Sequence, residues 1–187
     1  MRIKSIVSHL RPYIMLARRR TTINHAFAAA VAPSDTYDEA TVSEAMLVLG
    51  IDPSGDLGCA YCGERAETWD HIFATVRHSR FSGHGHRLGN LLPCCKPCNS
   101  KKGNKAWDAH LRSLAMADDL RGKREGAIAS FIDRYGVLEP TIATSPDHDR
   151  LEAIRLQVLE LLTEGDAIAA RIRQSRMSTN NPANTDA

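Results

Sequence analysis

The sequence predicts an α+β chain, mostly helical, and three observations carry that expectation. Breaker-poor stretches rich in alanine, leucine and charge stand toward both ends. The middle, residues 59 to about 107, is rich in glycine and holds only short strand-like pieces. That same middle contains all five cysteines, four of them in two C-x-x-C pairs.

The elements follow in order. Within an N-terminal helical segment, 1–57, residues 21–32 are alanine-rich and Pro33 closes them. Ser34 or Asp35 then caps a helix through about Leu49, with Val42, Ala45, Met46 and Leu49 on one face. Gly50 ends it and a turn-rich connector leads to Cys59. The central module, 58–107, has its best strand over 68–76 and a loop by composition at SGHGHRLGN. There His84 and His86 are expected at an exposed hairpin tip, with metal or phosphate binding as the alternative, and His78 is expected to be a surface or structural residue. Pro97 suits the first turn of a helix starting near Asn99. In the C-terminal region, 108–176, helices are expected over about 105–119 and 123–135, with His110 a surface or structural residue. A linker follows, then a helix over 149–176 interrupted at Gly165. Its apolar residues Leu151, Ile154, Val158, Leu161, Ile168 and Ile172 sit near heptad spacing. The helix either packs on its own domain or pairs with a second copy, making a homodimer. The polar tail 177–187 reads as disordered.

No run approaches the roughly 20 apolar residues that span a bilayer, and the N-terminus lacks a signal-peptide core. A cytoplasmic protein with reduced thiols is expected, so the paired cysteines favour metal over disulfides. The net charge of +2 hides segregation. Residues 1–25 carry six Lys/Arg and no acid, 33–70 carry nine Asp/Glu against one Arg, and 71–105 carry seven Lys/Arg and no acid. A basic block beside a metal motif points to a polyanion partner.

Cys59, Cys62, Cys95 and Cys98 form two knuckles of the kind that give zinc four thiolates in a tetrahedron. Such an ion is structural, because no coordination position is left for water. Cys94 fits this spacing less well than Cys95 and is assigned to packing.

Taken in order, CAYC, WDHI and GNLLPCCKPCNSKKGN resemble the HNH endonucleases, ββα-metal nucleases with a four-cysteine zinc-knuckle frame. The resemblance covers residues 59–105 and implies a small ββα-metal module flanked by N- and C-terminal helices. It implies that His71 is the general base for an attacking water, a task suited to an imidazole titrating near neutrality. Asp70 and Asn99 would hold a catalytic Mg²⁺ or Mn²⁺ through oxygen, and Asn90 would brace the loop that orients His71. Lys101, Lys102, Arg77, Arg80 and Arg87 are the expected nucleic-acid contacts. The implied function is divalent-metal-dependent hydrolysis of phosphodiester bonds in DNA, double-stranded above all, in restriction or phage defence. The alternative is a non-catalytic zinc-containing nucleic-acid-binding module, which has no use for Asp70, His71 and Asn99 together.

Overall fold

The computed structural model describes residues 3–138 and 145–179. Two compact units divide the chain, Met1–Phe27 with Ala143–Ala187, and Ala28–Ile142. This corrects the linear division expected from sequence: segments from the two ends form one unit, and the central module is enlarged by helices on both sides of it. The expected disordered tail lies outside the described residues from 180 onward, and 177–179 continue the last helix.

In the first unit, helix α1 (Met15–Val31), which belongs to it as far as Phe27, meets the final helix α6 (Pro146–Thr179) antiparallel. The backbone N–H groups of a first helical turn lack partners within the helix. Here the Asp166 carboxylate supplies them, accepting from Met15 N at 2.7 Å and Leu16 N at 3.0 Å, with its charge at the positive helix end. Eleven residues earlier on α6, buried Arg155 donates to Asn24 Oδ1 at 2.6 Å and to the carboxylate of Glu152. The expected break at Gly165 is absent, and α6 runs straight through. A Cβ at Gly165 would lie 2.8 Å from Met15 Cε, so the missing side chain makes room for the neighbouring helix. Leu161, Ile168 and Ile172 remain exposed on α6.

The second unit is built on a two-stranded antiparallel sheet. Strand β1 (Thr68–His71) pairs with β4 (Leu91–Cys94), setting Asp70 opposite Leu92 and His71 opposite Leu91. The strand expected over 68–76 is thus shorter. The chain turns away after His71 and makes a separate hairpin from β2 (Val76–Arg77) and β3 (Arg80–Phe81). His78 and Ser79, both at positive φ (50° and 65°), form its two-residue turn. Such a turn matches the right-handed twist of its strands, which Asn-Gly sequences usually signal and His-Ser does not.

Helix α3 (Lys96–Lys102) follows β4 directly and packs on β1. Around this core stand α2 (Glu39–Val48), capped by Asp38 Oδ1 accepting from Thr41 N at 2.7 Å, α4 (Trp107–Arg112) and α5 (Asp118–Tyr135). Met46, Tyr61, Ile72, Leu92, Leu111 and Phe131 are all nearly inaccessible. Each large apolar side chain so buried contributes about 1.5–3 kcal/mol.

The C-terminal end of α5 packs on the 3-10 turn Leu88–Asn90. A Cβ at Gly89 would stand 1.8 Å from Tyr135 O and 2.2 Å from Tyr135 C, backbone that cannot step aside. Gly89→Ala should therefore destabilise the fold by at least about 1–3 kcal/mol. Chemical denaturation checks this, and an unchanged midpoint would show that the two segments are not held in contact.

Candidate active site and metal centre

The first knuckle turns because Gly63, at φ +85°, donates to Cys59 O at 2.8 Å while Cys59 N donates to Glu64 O. Its carbonyls at Cys59 and Ala60 are satisfied from α5 by Arg124 Nη1 at 3.2 and 3.3 Å. It is stitched to β4 through Ala60 N to Pro93 O, at 2.9 Å. The second knuckle coincides with a helix start: Cys95 is the N-cap of α3, its Sγ accepting from Cys98 N at 3.5 Å. Pro97 stands in the first turn, where its missing N–H costs nothing.

The thiols that converge are those of Cys59, Cys62, Cys95 and Cys98, all within 4.8 Å of one another. A tetrahedral zinc with bonds of about 2.3 Å separates its sulfurs by roughly 3.8 Å, and Cys62 and Cys95 stand 3.6 Å apart. The donor set and its size fit a zinc ion. Cys94, fully buried, stays outside the cluster. Its Sγ accepts from Cys59 Sγ at 4.0 Å and donates to Cys95 O at 3.4 Å. Hydrogen bonding with Cys94 holds Cys59 down to about 4, whereas burial pushes Cys62 up to about 11 and Cys98 above its ordinary range. Four sulfurs so close cannot all ionise without a cation among them.

On β1 the pleat sends Asp70 inward while Trp69 stays exposed and His71 half-buried. Asp70 is 4% exposed. Tyr61 donates to its Oδ2 at 2.8 Å, and Lys102 Nζ lies 3.2 Å from Oδ1 and 3.1 Å from Oδ2. The ammonium also donates to His71 O at 2.7 Å. Burial raises the Asp70 pKa against the opposing pull of Lys102, and burial and the Asp70 charge raise that of Tyr61, which keeps its proton.

Two sequence expectations change here. Lys102, expected at a phosphate, is 2% exposed and committed to Asp70 and His71. Asp70 and Asn99 do not make an open oxygen site. The Asp70 oxygens are occupied, and the Asn99 amide nitrogen is directed to Thr68 Oγ1 (3.3 Å) and Trp69 O (3.5 Å). A hard divalent ion at Asp70 would first have to displace a buried ammonium, so the residues present do not fit Mg²⁺ or Mn²⁺ there.

Asn90 lies behind the segment that follows His71. Its Oδ1 accepts from Phe73 N at 2.8 Å, and its Nδ2 donates to Phe73 O at 3.1 Å and Gly85 O at 2.9 Å. One buried amide thereby ties the exit of β1 to the histidine-rich loop. That loop departs from the expected exposed tip. His84 is 8% exposed and stacked on Phe73 at 4.7 Å, with burial lowering its pKa. His86 is exposed, and its Nδ1 lies 3.0 Å from His71 Nε2. A cavity of about 490 Å³ beside it is lined by Asp35, Tyr37, Asp38, Trp69 and His86 among others. Arg77 and Arg80 face each other across the β2–β3 hairpin, and they, Arg87 and Lys101 are exposed.

Sequence reasoning missed the partnership of His86 with His71 and the place of Tyr61 against Asp70. An aromatic inside a cysteine knuckle was the one available signal for Tyr61. His110, taken as surface or structural, is 1% exposed, edge-on to Tyr61 at 4.9 Å and held toward neutrality by burial.

Among the described residues no helix is long and apolar enough to cross a membrane. Comparison of the chain with protein-family models, curated proteins and solved structures gives no match.

Proposed function

We propose that the second unit is an HNH-type endonuclease module that hydrolyses phosphodiester bonds in DNA, with His71 as general base. One observation supports this above the others. His71 ends the first strand of a strand–strand–helix unit with paired knuckles, its ring accessible and the chain behind it braced by Asn90. The imidazole takes a proton from water, whose oxygen attacks phosphorus as the bond from phosphorus to the leaving oxygen breaks; the proton moves on to solvent or that leaving oxygen. Exposed Arg77, Arg80, Arg87 and Lys101 supply charge for the phosphate backbone. Asp35 and Asp38 turn the neighbouring cavity away from phosphate. Divalent-metal dependence belongs to the HNH resemblance, while Asp70 is engaged by Lys102. Restriction or phage defence is the corresponding setting. The exposed apolar row on α6 keeps a homodimer within the proposal.

A second reading, a zinc-containing module that binds nucleic acid without cutting it, is favoured by the Asp70–Lys102 pair, which closes off the expected metal ligand. Supercoiled plasmid with Mg²⁺ or Mn²⁺ separates the two. Native protein should nick it, and His71→Ala, if it melts like native, should be slower by about 10²–10⁴-fold. Equal nicking by both proteins, or DNA binding without nicking, would remove the catalytic proposal.

A further inference from the structure

His71 and His86 come from a strand end and a loop fifteen residues apart, yet their ring nitrogens lie 3.0 Å from each other. The loop is built to hold that approach. His86 N donates to Pro33 O at 2.8 Å, and Ser34 and His86 form a parallel bridge. Gly85 is flattened against Pro33, whose carbonyl oxygen would stand 2.1 Å from an added Cβ. Asn90 Nδ2 fixes Gly85 O from the other side. Both the backbone of His86 and the strand bearing His71 are therefore positioned before any ligand arrives.

We propose that His71 Nε2 and His86 Nδ1 form a two-imidazole site for a borderline transition-metal ion such as Ni²⁺, Co²⁺ or a second Zn²⁺. Metal–imidazole bonds of about 2.0–2.1 Å place two cis nitrogens about 2.9 Å apart at right angles and about 3.4 Å apart in a tetrahedron. The observed separation falls in that interval. Nitrogen donors select these ions over Mg²⁺ and Ca²⁺. His86 is exposed and His71 half-exposed, so water fills the remaining positions, unlike the closed four-sulfur cluster. Asp35 borders the cavity beside His86 and adds negative charge on that side. The site uses neither Asp70 nor Asn99. An imidazole holding an ion at Nε2 has no lone pair left to take a proton, so the metal-loaded form is not the one in which His71 acts as base. Ion binding is therefore read without nuclease activity.

The test is binding without nucleic acid. Full-length protein carrying its zinc, dialysed free of excess metal, is titrated with Ni²⁺ by calorimetry, and the histidine ring signals are followed by NMR. Native protein should bind one added equivalent with the His71 and His86 resonances shifting first. His86→Ala and His71→Ala should each weaken it by about tenfold or more, while His78→Ala, in the exposed turn of the same region, leaves it unchanged. Release of zinc during the titration is measured in parallel, so that exchange at the cysteines is not counted as binding. No added equivalent in the native protein, or equal binding after His86→Ala, would overturn the site whatever the plasmid assay gives.

Discussion

Replacing Cys98 with serine should abolish bound zinc and cooperative melting of the second unit together. The four converging sulfurs lie among the core side chains, beside Tyr61, Leu92 and Leu111, and the second knuckle is the first turn of α3. Zinc binding to such knuckles is worth on the order of 10–16 kcal/mol in isolated peptides, more than the whole stability of a typical domain. Removing one thiolate weakens the ion's hold and leaves the remaining buried sulfurs repelling one another. Cys94→Ser should be mild, about 1 kcal/mol, since a hydroxyl retains a donor toward Cys95 O and an acceptor toward Cys59. Metal analysis and thermal unfolding of the two variants check this. Zinc lost by Cys94→Ser but retained by Cys95→Ser would put Cys94 in the cluster in place of Cys95.

Lys102→Met should cost about 3–5 kcal/mol, the usual result of stripping one partner from a buried ion pair. Lys102 and Asp70 are both nearly inaccessible, and Tyr61 alone cannot neutralise the remaining carboxylate. The loss depends on pH in a definite direction. Burial already raises the Asp70 pKa above its unfolded value, and losing the ammonium raises it further. A carboxyl with a raised native pKa is least costly when protonated, so its stability is present at acid pH and lost as pH rises through the native value. The gap between variant and native protein should thus narrow as pH falls from 7 toward 4. Denaturant titrations across that range provide the measurement, and a gap constant with pH would show that Asp70 is not the group left unpaired. Asp70→Asn combined with Lys102→Met should recover part of the loss, because no charge then remains buried.

The knuckles were legible because each C-x-x-C is a local turn, and Pro97 signalled a helix start, expected near Asn99 and found at Lys96. The second strand, Leu91–Cys94, was implied by the HNH resemblance alone. Asn90 was legible through the HNH resemblance alone; nothing in its neighbours announces three hydrogen bonds to Phe73 and Gly85. Lys102 was misplaced because a lysine late in a short helix, beside Lys101, looks solvated by pattern. Its burial depends on Asp70 across the packing of α3 on β1, which no periodicity encodes. His86 was misjudged for the same reason. A histidine in a glycine-rich loop suggests freedom, yet the restraint comes from Pro33 and Ser34, some fifty residues earlier. The pairing of α1 with α6 rests on Asp166 and Arg155, polar contacts that look like ordinary surface charge in a linear reading.

That pairing bears on the order in which the molecule assembles. The second unit is one continuous stretch, so its strands, knuckles and helices can find each other as soon as residue 142 has been made. Helix α1 precedes it and α6 follows it, so Asp166 cannot cap Met15 until the intervening chain is complete. During synthesis the basic N-terminal segment waits without its partner helix, while a loop the size of the second unit separates the two. Closing a loop costs entropy that grows only logarithmically with its length, and a folded unit in between shortens the effective span. Early folding of the second unit therefore eases the docking of the two outer helices.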